Sequence, residues 1–215
     1  MKSDKVITKK KWKPSPQTCM TKQEAKKMFQ AAEKRKQLNT KAAIKDWILI
    51  HLGFSTGLRA SEIAALSCHH IELENNENPN IFVETGKTIH SRRRVPLDPY
   101  LVTKILEYRE YKRSWGETWQ EDEPFLRSSH GEHYRRENLY IMFKRVLKLA
   151  TTIQNPQRFY THSMRHTFAV RVYKQSRYNV ELVRQLLGHS SIEVTMAYLA
   201  AFNCEKIQAV KGLYR

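Results

Sequence analysis

From Ile44 onward the apolar residues return at helical spacing. Ile44, Trp47, Ile48, His51 and Leu52 fall at i, i+3, i+4, i+7 and i+8 and line one face of a helix, and the same period governs most of the chain. A chain so patterned folds by packing helices. Thr21-Lys22-Gln23-Glu24 is a capping box, so order is expected to begin at Thr21, with Ala25, Met28, Phe29 and Ala32 on the buried face. The second helix is expected to stop near Gly53, ahead of the turn Ser55-Thr56-Gly57, and a short third helix to start about Ala60 and bury Ile63 and Leu66. The period changes between Pro79 and Leu97. There Ile81, Val83 and Val95, with Thr85-Gly86-Lys87 between them, predict an antiparallel hairpin with a basic tip. Helices resume with Leu101, Val102, Ile105 and Leu106, then with Leu139, Met142, Phe143, Val146 and Leu147, and continue over about 162–174, 179–187, 191–199 and 204–212. The fold class is therefore α+β, mainly α-helical, with a small antiparallel hairpin or sheet near residues 79–97.

Charge narrows the partner. The 215 residues hold 38 Lys and Arg against 21 Asp and Glu, a formal net charge of +17, which makes a polyanion the default expectation. The longest apolar stretch, Trp47 to Phe54, is interrupted by His51 and falls far short of the roughly 18 residues a membrane span needs. The Lys-rich N-terminus resembles no secretory signal, and residues 1–20 read as a basic flexible arm or linker. Cys19, Cys68 and Cys204 form no C-x-x-C pair and suit a reducing compartment, where they serve as packing residues. A cytoplasmic location follows as the expectation, nucleoid-associated if the source is prokaryotic.

Three separated segments place unusual polar residues at helix edges: Thr56-Gly57-Leu58-Arg59-Ala60-Ser61-Glu62, Thr161-His162-Ser163-Met164-Arg165-His166, and Leu187-Gly188-His189 through Tyr198. Arg59 falls on a turn at the N-terminal edge of its helix, where it can face a ligand. His162 and Arg165, three apart, share a helix face that a phosphate could bridge. In this order the motifs T-G-L-R-x-S-E, H-x-x-R-H-T-F and L-G-H-S-S-I-x-x-T-x-x-Y resemble the tyrosine recombinase or phage integrase family, over about residues 21 to 200.

The resemblance implies that residues 21–215 form the family's catalytic domain and that its N-terminal core-binding domain is absent here. It implies catalytic roles for Arg59, Lys87, His162, Arg165, His189 and Tyr198, with Tyr198 as nucleophile and Glu62 orienting the first arginine. The chemistry gives each type a reason. A phosphodiester under attack gathers charge on its nonbridging oxygens, and planar guanidiniums meet two such oxygens with paired donors. Preorganised cations of this kind can act without a metal, so no Mg²⁺, Zn²⁺ or other cofactor is expected. A phenol, with a reference pKa of about 10, needs help to attack; His162 is the candidate base and Lys87 the candidate acid for the leaving 5′ oxygen. The 3′-phosphotyrosine so formed keeps the bond energy, so a 5′ hydroxyl from another strand can reseal it.

Lys87 has neighbours that could share its part. The segment Gly86 to Leu97 exceeds the family's usual turn, and Arg92 or Arg94 could bind phosphate. Arg135, Arg136, Lys144, Arg145 and Lys148 are candidates for holding double-stranded DNA, by phosphate contacts that weaken with salt. Cys68-His69-His70 reads as a loop after a helix, since no further metal ligand lies near it in the sequence, and His162 and His166 lack the partners a zinc helix needs. The resemblance further implies a homo-oligomer, a tetramer on paired sites joined through the tail Phe202 to Arg215, with accessory DNA-binding proteins as possible partners. Position 200 is Ala where many relatives have His. Two rivals remain open at this point: a non-catalytic DNA-binding regulator of the same fold, and a type IB topoisomerase-like swivelase.

Overall fold

The computed structural model describes residues 18–73, 78–84 and 92–200. Helix α1 (Lys22–Lys36) begins at the expected capping box: Thr21 Oγ1 accepts from the Glu24 backbone N–H at 3.1 Å, and Glu24 accepts from the Thr21 N–H at 2.8 Å. Order starts earlier than Thr21, because Thr18 and Met20 are already buried and the Met20 N–H donates to Thr167 Oγ1 at 3.0 Å.

Helix α2 (Lys41–Thr56) is the hub. Its residues are buried almost all round, and α1, α4 (Pro99–Ser114), α5 (Arg136–Leu149) and α6 (Thr161–Gln175) pack on it. The expected stop at Gly53 is wrong. The helix continues to Thr56, and Gly53 serves close packing instead: a Cβ there would lie 2.5 Å from Met164 Sδ of α6. Gly57 ends the helix in the left-handed region, at φ 63°. Asp46, fully buried in α2, is held by Arg35 of α1 and by Arg145 of α5.

Helix α3 (Ala60–Ala64) follows at once, with Arg59 as its extended N-cap residue. The predicted hairpin is present as β2 (Asn80–Val83) and β3 (Arg93–Pro96), paired antiparallel with Ile81 opposite Val95 and Val83 opposite Arg93. A third strand, β1 (Ile71–Glu72), extends it to a three-stranded sheet in the order β1-β2-β3; two residues are too short to show a period in the sequence. The chain then passes through α4, α5 and α6 to α7 (Val180–Leu187) and α8 (Ile192–Ala200).

Two cores result. The large one runs from Met20 to Met164 and takes in α1 to α6 and the sheet. The small one gathers Ala169, Val183, Leu187, Tyr198 and Leu199 where α6, α7 and α8 meet. No helix among the described residues is long and apolar enough to cross a membrane. The segment around Lys87 and the tail helix expected over 204–212 lie outside the described residues.

Candidate active site

Glu62 is where the site is assembled. It is 3% exposed, and its Oε2 accepts the Arg59 backbone N–H at 2.7 Å, which closes the first turn of α3. Its Oε1 accepts Nη1 of the Arg59 side chain at 2.7 Å. Arg93, reaching in from β3, donates to both carboxylate oxygens, at 3.1 and 2.9 Å, and Nη1 of Arg165 stands 3.8 Å away. Burial works against the charge on Glu62, but the hydrogen bonds and charge of Arg93, then the charge of Arg165, outweigh it and hold the carboxyl at about 2.

Arg165 is 1% exposed, far from the solvent-facing place an arginine usually takes. Its Nη1 donates to the Gly57 carbonyl at 2.8 Å and its Nη2 to the Leu187 carbonyl at 2.7 Å. The left-handed turn at Gly57 thus ends α2 and supplies an acceptor to the second arginine. A side chain there would meet Phe168, with a Cβ only 2.2 Å from its Cδ1. Burial, with Arg59 nearby, pulls the Arg165 pKa down to about 9, which still leaves it charged at neutral pH.

The remaining motif residues close around this pair. His162 is half-buried on the first turn of α6; burial, then the charges of Arg165 and Arg59, draw its pKa down to about 4. His189 follows α7 and is hydrogen-bonded through Nδ1 to the buried Thr195 hydroxyl at 3.0 Å, with a pKa pulled down to about 3 by burial and by Arg165. The Tyr198 ring packs edge-on to His189, centroids 5.4 Å apart, and stacks on His166 at 4.7 Å with the planes 15° apart. His166 in turn meets His162 edge to face at 5.2 Å. Burial raises the Tyr198 pKa above its ordinary value, while Arg165 and Arg59 act to lower it, so the phenol lies within the field of both guanidiniums.

Beside these groups an open depression of about 490 Å³ lies between Arg59 and Ser61 of α3, Arg136 and Tyr140 of α5, and Thr161 and His162 of α6. Of the cations proposed to hold DNA, Arg136 therefore borders the site, while Arg135, Lys148 and Arg92 are exposed and do not line the depression. Lys144 sits over the rings of Tyr140 and Tyr160, at 5.5 and 5.8 Å. Arg145 is engaged otherwise: it grips Asp46 through two hydrogen bonds of 2.9 and 2.6 Å. Arg94 is paired with Glu72 at 3.0 Å on the outer face of the sheet.

The structure also supplies what the sequence reading passed over. Arg93, Thr195 and the stacked His166 all serve the site, and none was among the expected functional residues. Around Cys68-His69-His70, Glu84 does come near, bringing three potential ligand atoms within 4.8 Å of one another. His70 nevertheless accepts the Ser67 N–H on Nδ1 at 2.9 Å, so its neutral ring carries the hydrogen on Nε2, the atom facing Glu84 at 3.6 Å. A ring held in that way has no lone pair to give a metal. Burial raises the thiol pKa of Cys19, and that of Cys68 to about 12, as suits packing residues.

Residues 18–204, which include every motif above, match the phage integrase family. The chain belongs to that family. Among curated members, the integrase-family chain is 28% identical to tyrosine recombinase XerC of Erythrobacter litoralis over 186 residues, 86% of this chain and 56% of that protein. It is 30% identical to tyrosine recombinase XerC of Roseiflexus castenholzii over 164 residues, 74% of this chain and 48% of that one. This member thus spans about half the length of those relatives. Among solved structures its fold is similar to that of the XerH site-specific recombinase bound to difH substrate, with a TM-score of 0.70 at 22% identity, covering 92% of this chain and 55% of that one. It is also similar to the XerA recombinase, with a TM-score of 0.69 at 21% identity, covering 93% and 66%. The integrase-family fold expected from the motifs is borne out.

Proposed function

We propose that this chain performs the strand cleavage and rejoining of a site-specific DNA recombinase or integrase, through a 3′-phosphotyrosine at Tyr198. One observation carries the reading: Arg59, Arg165, His162, His189 and Tyr198, drawn from three separated segments of the sequence, meet at one spot on a strongly basic protein.

In this reading a phosphodiester of double-stranded DNA lies across Arg59 and Arg165, whose fixed donors meet the charge that grows on its nonbridging oxygens. His189, held by Thr195, faces the same group. The Tyr198 oxygen bonds to phosphorus as the bond to the 5′ oxygen breaks. The phenol proton passes to His162, and Lys87 gives a proton to the departing oxygen. His162 is a weak base because burial, and after it the charges of Arg165 and Arg59, oppose its protonation; an anionic phosphate laid between the guanidiniums offsets their part of that opposition and raises its basicity. The incoming 5′ hydroxyl then reverses each transfer. Assembly of protomers on paired sites through the tail belongs to the same proposal, on the strength of the family.

The test is a duplex nicked next to the cleavage point, so that the released fragment diffuses away. Wild-type protein is expected to form a slow-migrating covalent species, and Tyr198→Phe none. A wild-type protein that binds DNA but never forms the adduct would leave a binding regulator. An adduct accompanied by relaxed supercoils without recombinant product would leave a swivelase.

A further inference from the structure

Arg93 lies outside the expected catalytic set, yet it donates three hydrogen bonds at the site. Its side chain is 6% exposed. Its two terminal nitrogens take both oxygens of Glu62, its Nε donates to the Leu186 carbonyl at 2.7 Å, and Gly188 lies against it so closely that a Cβ would come within 2.8 Å of Nη1. Arg165 binds the next carbonyl, Leu187. Two arginines therefore secure the end of α7, and both flank the one carboxylate.

Charge counting shows what the third arginine adds. Glu62 carries one negative charge in contact with Arg59 and Arg93 and within 3.8 Å of Arg165. The Arg59 side chain is 34% exposed and opens onto the depression beside α5, whereas Arg93, 6% exposed, is not among the residues lining it. With Arg93 gripping both oxygens, the carboxylate is neutralised by a buried partner, and the charges of Arg59 and Arg165 are left for an anion. Without it, Glu62 has only those two arginines to neutralise it, and the charge offered to an anion falls by one. His189, beyond Gly188, feels the Arg93 charge too.

We propose that Arg93 is a positioning residue: by holding and neutralising Glu62, it frees Arg59 and Arg165 to face a phosphoryl group, an inference that rests on the strand-cleavage reading above. Two measurements test it, on Arg93→Gln and on the double variant Arg93→Gln/Glu62→Gln. The first is the rate of adduct formation on the nicked duplex. Arg93→Gln is expected to be about 100-fold slower, with duplex affinity changed far less, and the double variant, which removes the stranded negative charge, to be faster than Arg93→Gln by about tenfold. A purely structural loss would leave the double variant no better than the single. The second is the affinity of inorganic orthovanadate for the protein without DNA, followed by the NMR signals of His162 and His189. Arg93→Gln is expected to bind it about tenfold more weakly than wild type. Equal vanadate affinity, or cleavage by Arg93→Gln within twofold of wild type, overturns the proposal. Should wild type form no adduct, the cleavage reading fails and the vanadate result alone decides on Arg93.

Discussion

The arginines and the tyrosine of this site are anchored in different ways. Arg59, Glu62, Arg93 and Arg165 sit on elements that lead into the large core, and each makes at least two polar contacts with named protein groups. Tyr198 sits in the small core of five residues on the last described helix, and its side chain is placed by rings, those of His166 and His189. A guanidinium network with fixed donors is preorganised for a developing charge. A helix resting on a small apolar cluster can shift for a few kcal/mol, since each such side chain contributes about 1.5–3 kcal/mol. Under the proposed function, this contrast separates binding from attack: a phosphate would be held in the finished clamp before Tyr198 is set.

The largest effect expected from breaking this contrast is at Arg165. Arg165→Ala removes the donors to Gly57 and Leu187 and leaves Glu62 short of a cation, so both halves lose their link. Thermal unfolding should show about 3–5 kcal/mol of lost stability, and adduct formation should fall by about 10³-fold. Leu187→Ala comes next. It opens a cavity in the small core, worth about 2–4 kcal/mol locally. Amide hydrogen exchange in α7 and α8 is expected to quicken while α2 stays protected; equal loosening of α2 would mean that the two cores are one cooperative unit.

Acid should act along the same line. His51, His162, His166 and His189 are all pulled below the ordinary 6.5, to about 4, 4, 3 and 3, by burial first. The unfolded chain takes up these protons before the folded one, so their contribution is full above about pH 6.5 and is lost as pH falls toward 4 and 3. Three of the four rings stand around Tyr198 and its partners. Melting temperatures measured from pH 7.5 down to pH 5 should therefore decline, and exchange in α8 should accelerate before exchange in α2. The smallest effect expected concerns DNA binding: Arg136→Ala, beside the depression, should reduce the salt slope of duplex affinity by about 1, and Arg145→Ala, whose guanidinium is committed to Asp46, should leave that slope unchanged.

Much of this was legible in the residues, because local rules and tertiary need agreed. Thr21 with Glu24 announces a helix start through an i, i+3 pair, and the structure uses it. The alternation of Ile81, Val83 and Val95 placed two strands correctly. Gly53 misled, since its small size answers to Met164 across a helix contact that the local sequence does not reveal. Arg93 escaped for a different reason. Taken as a run of cations, Arg92-Arg93-Arg94 invites choosing any of them, yet a period of two counted back from the buried Val95 puts Arg93 on the inner face and Arg94 on the outer. Asp46 held a similar clue: an acid inside a helix that is apolar all round requires a cation, and Arg145 answers it. Burial of Arg165 had no local sign. It depends on the carbonyls of Gly57 and Leu187, which only the folded chain brings together.

The most direct test of the account locates the covalent bond itself. Wild-type protein trapped on the nicked duplex is digested with nuclease and trypsin, and the peptide Gln185 to Lys206, in which Tyr198 is the only tyrosine, is examined by mass spectrometry. The account predicts a nucleotide joined to Tyr198 through its 3′ phosphate. Cleaved DNA with that peptide unmodified, or with the phosphate on another residue, would contradict it.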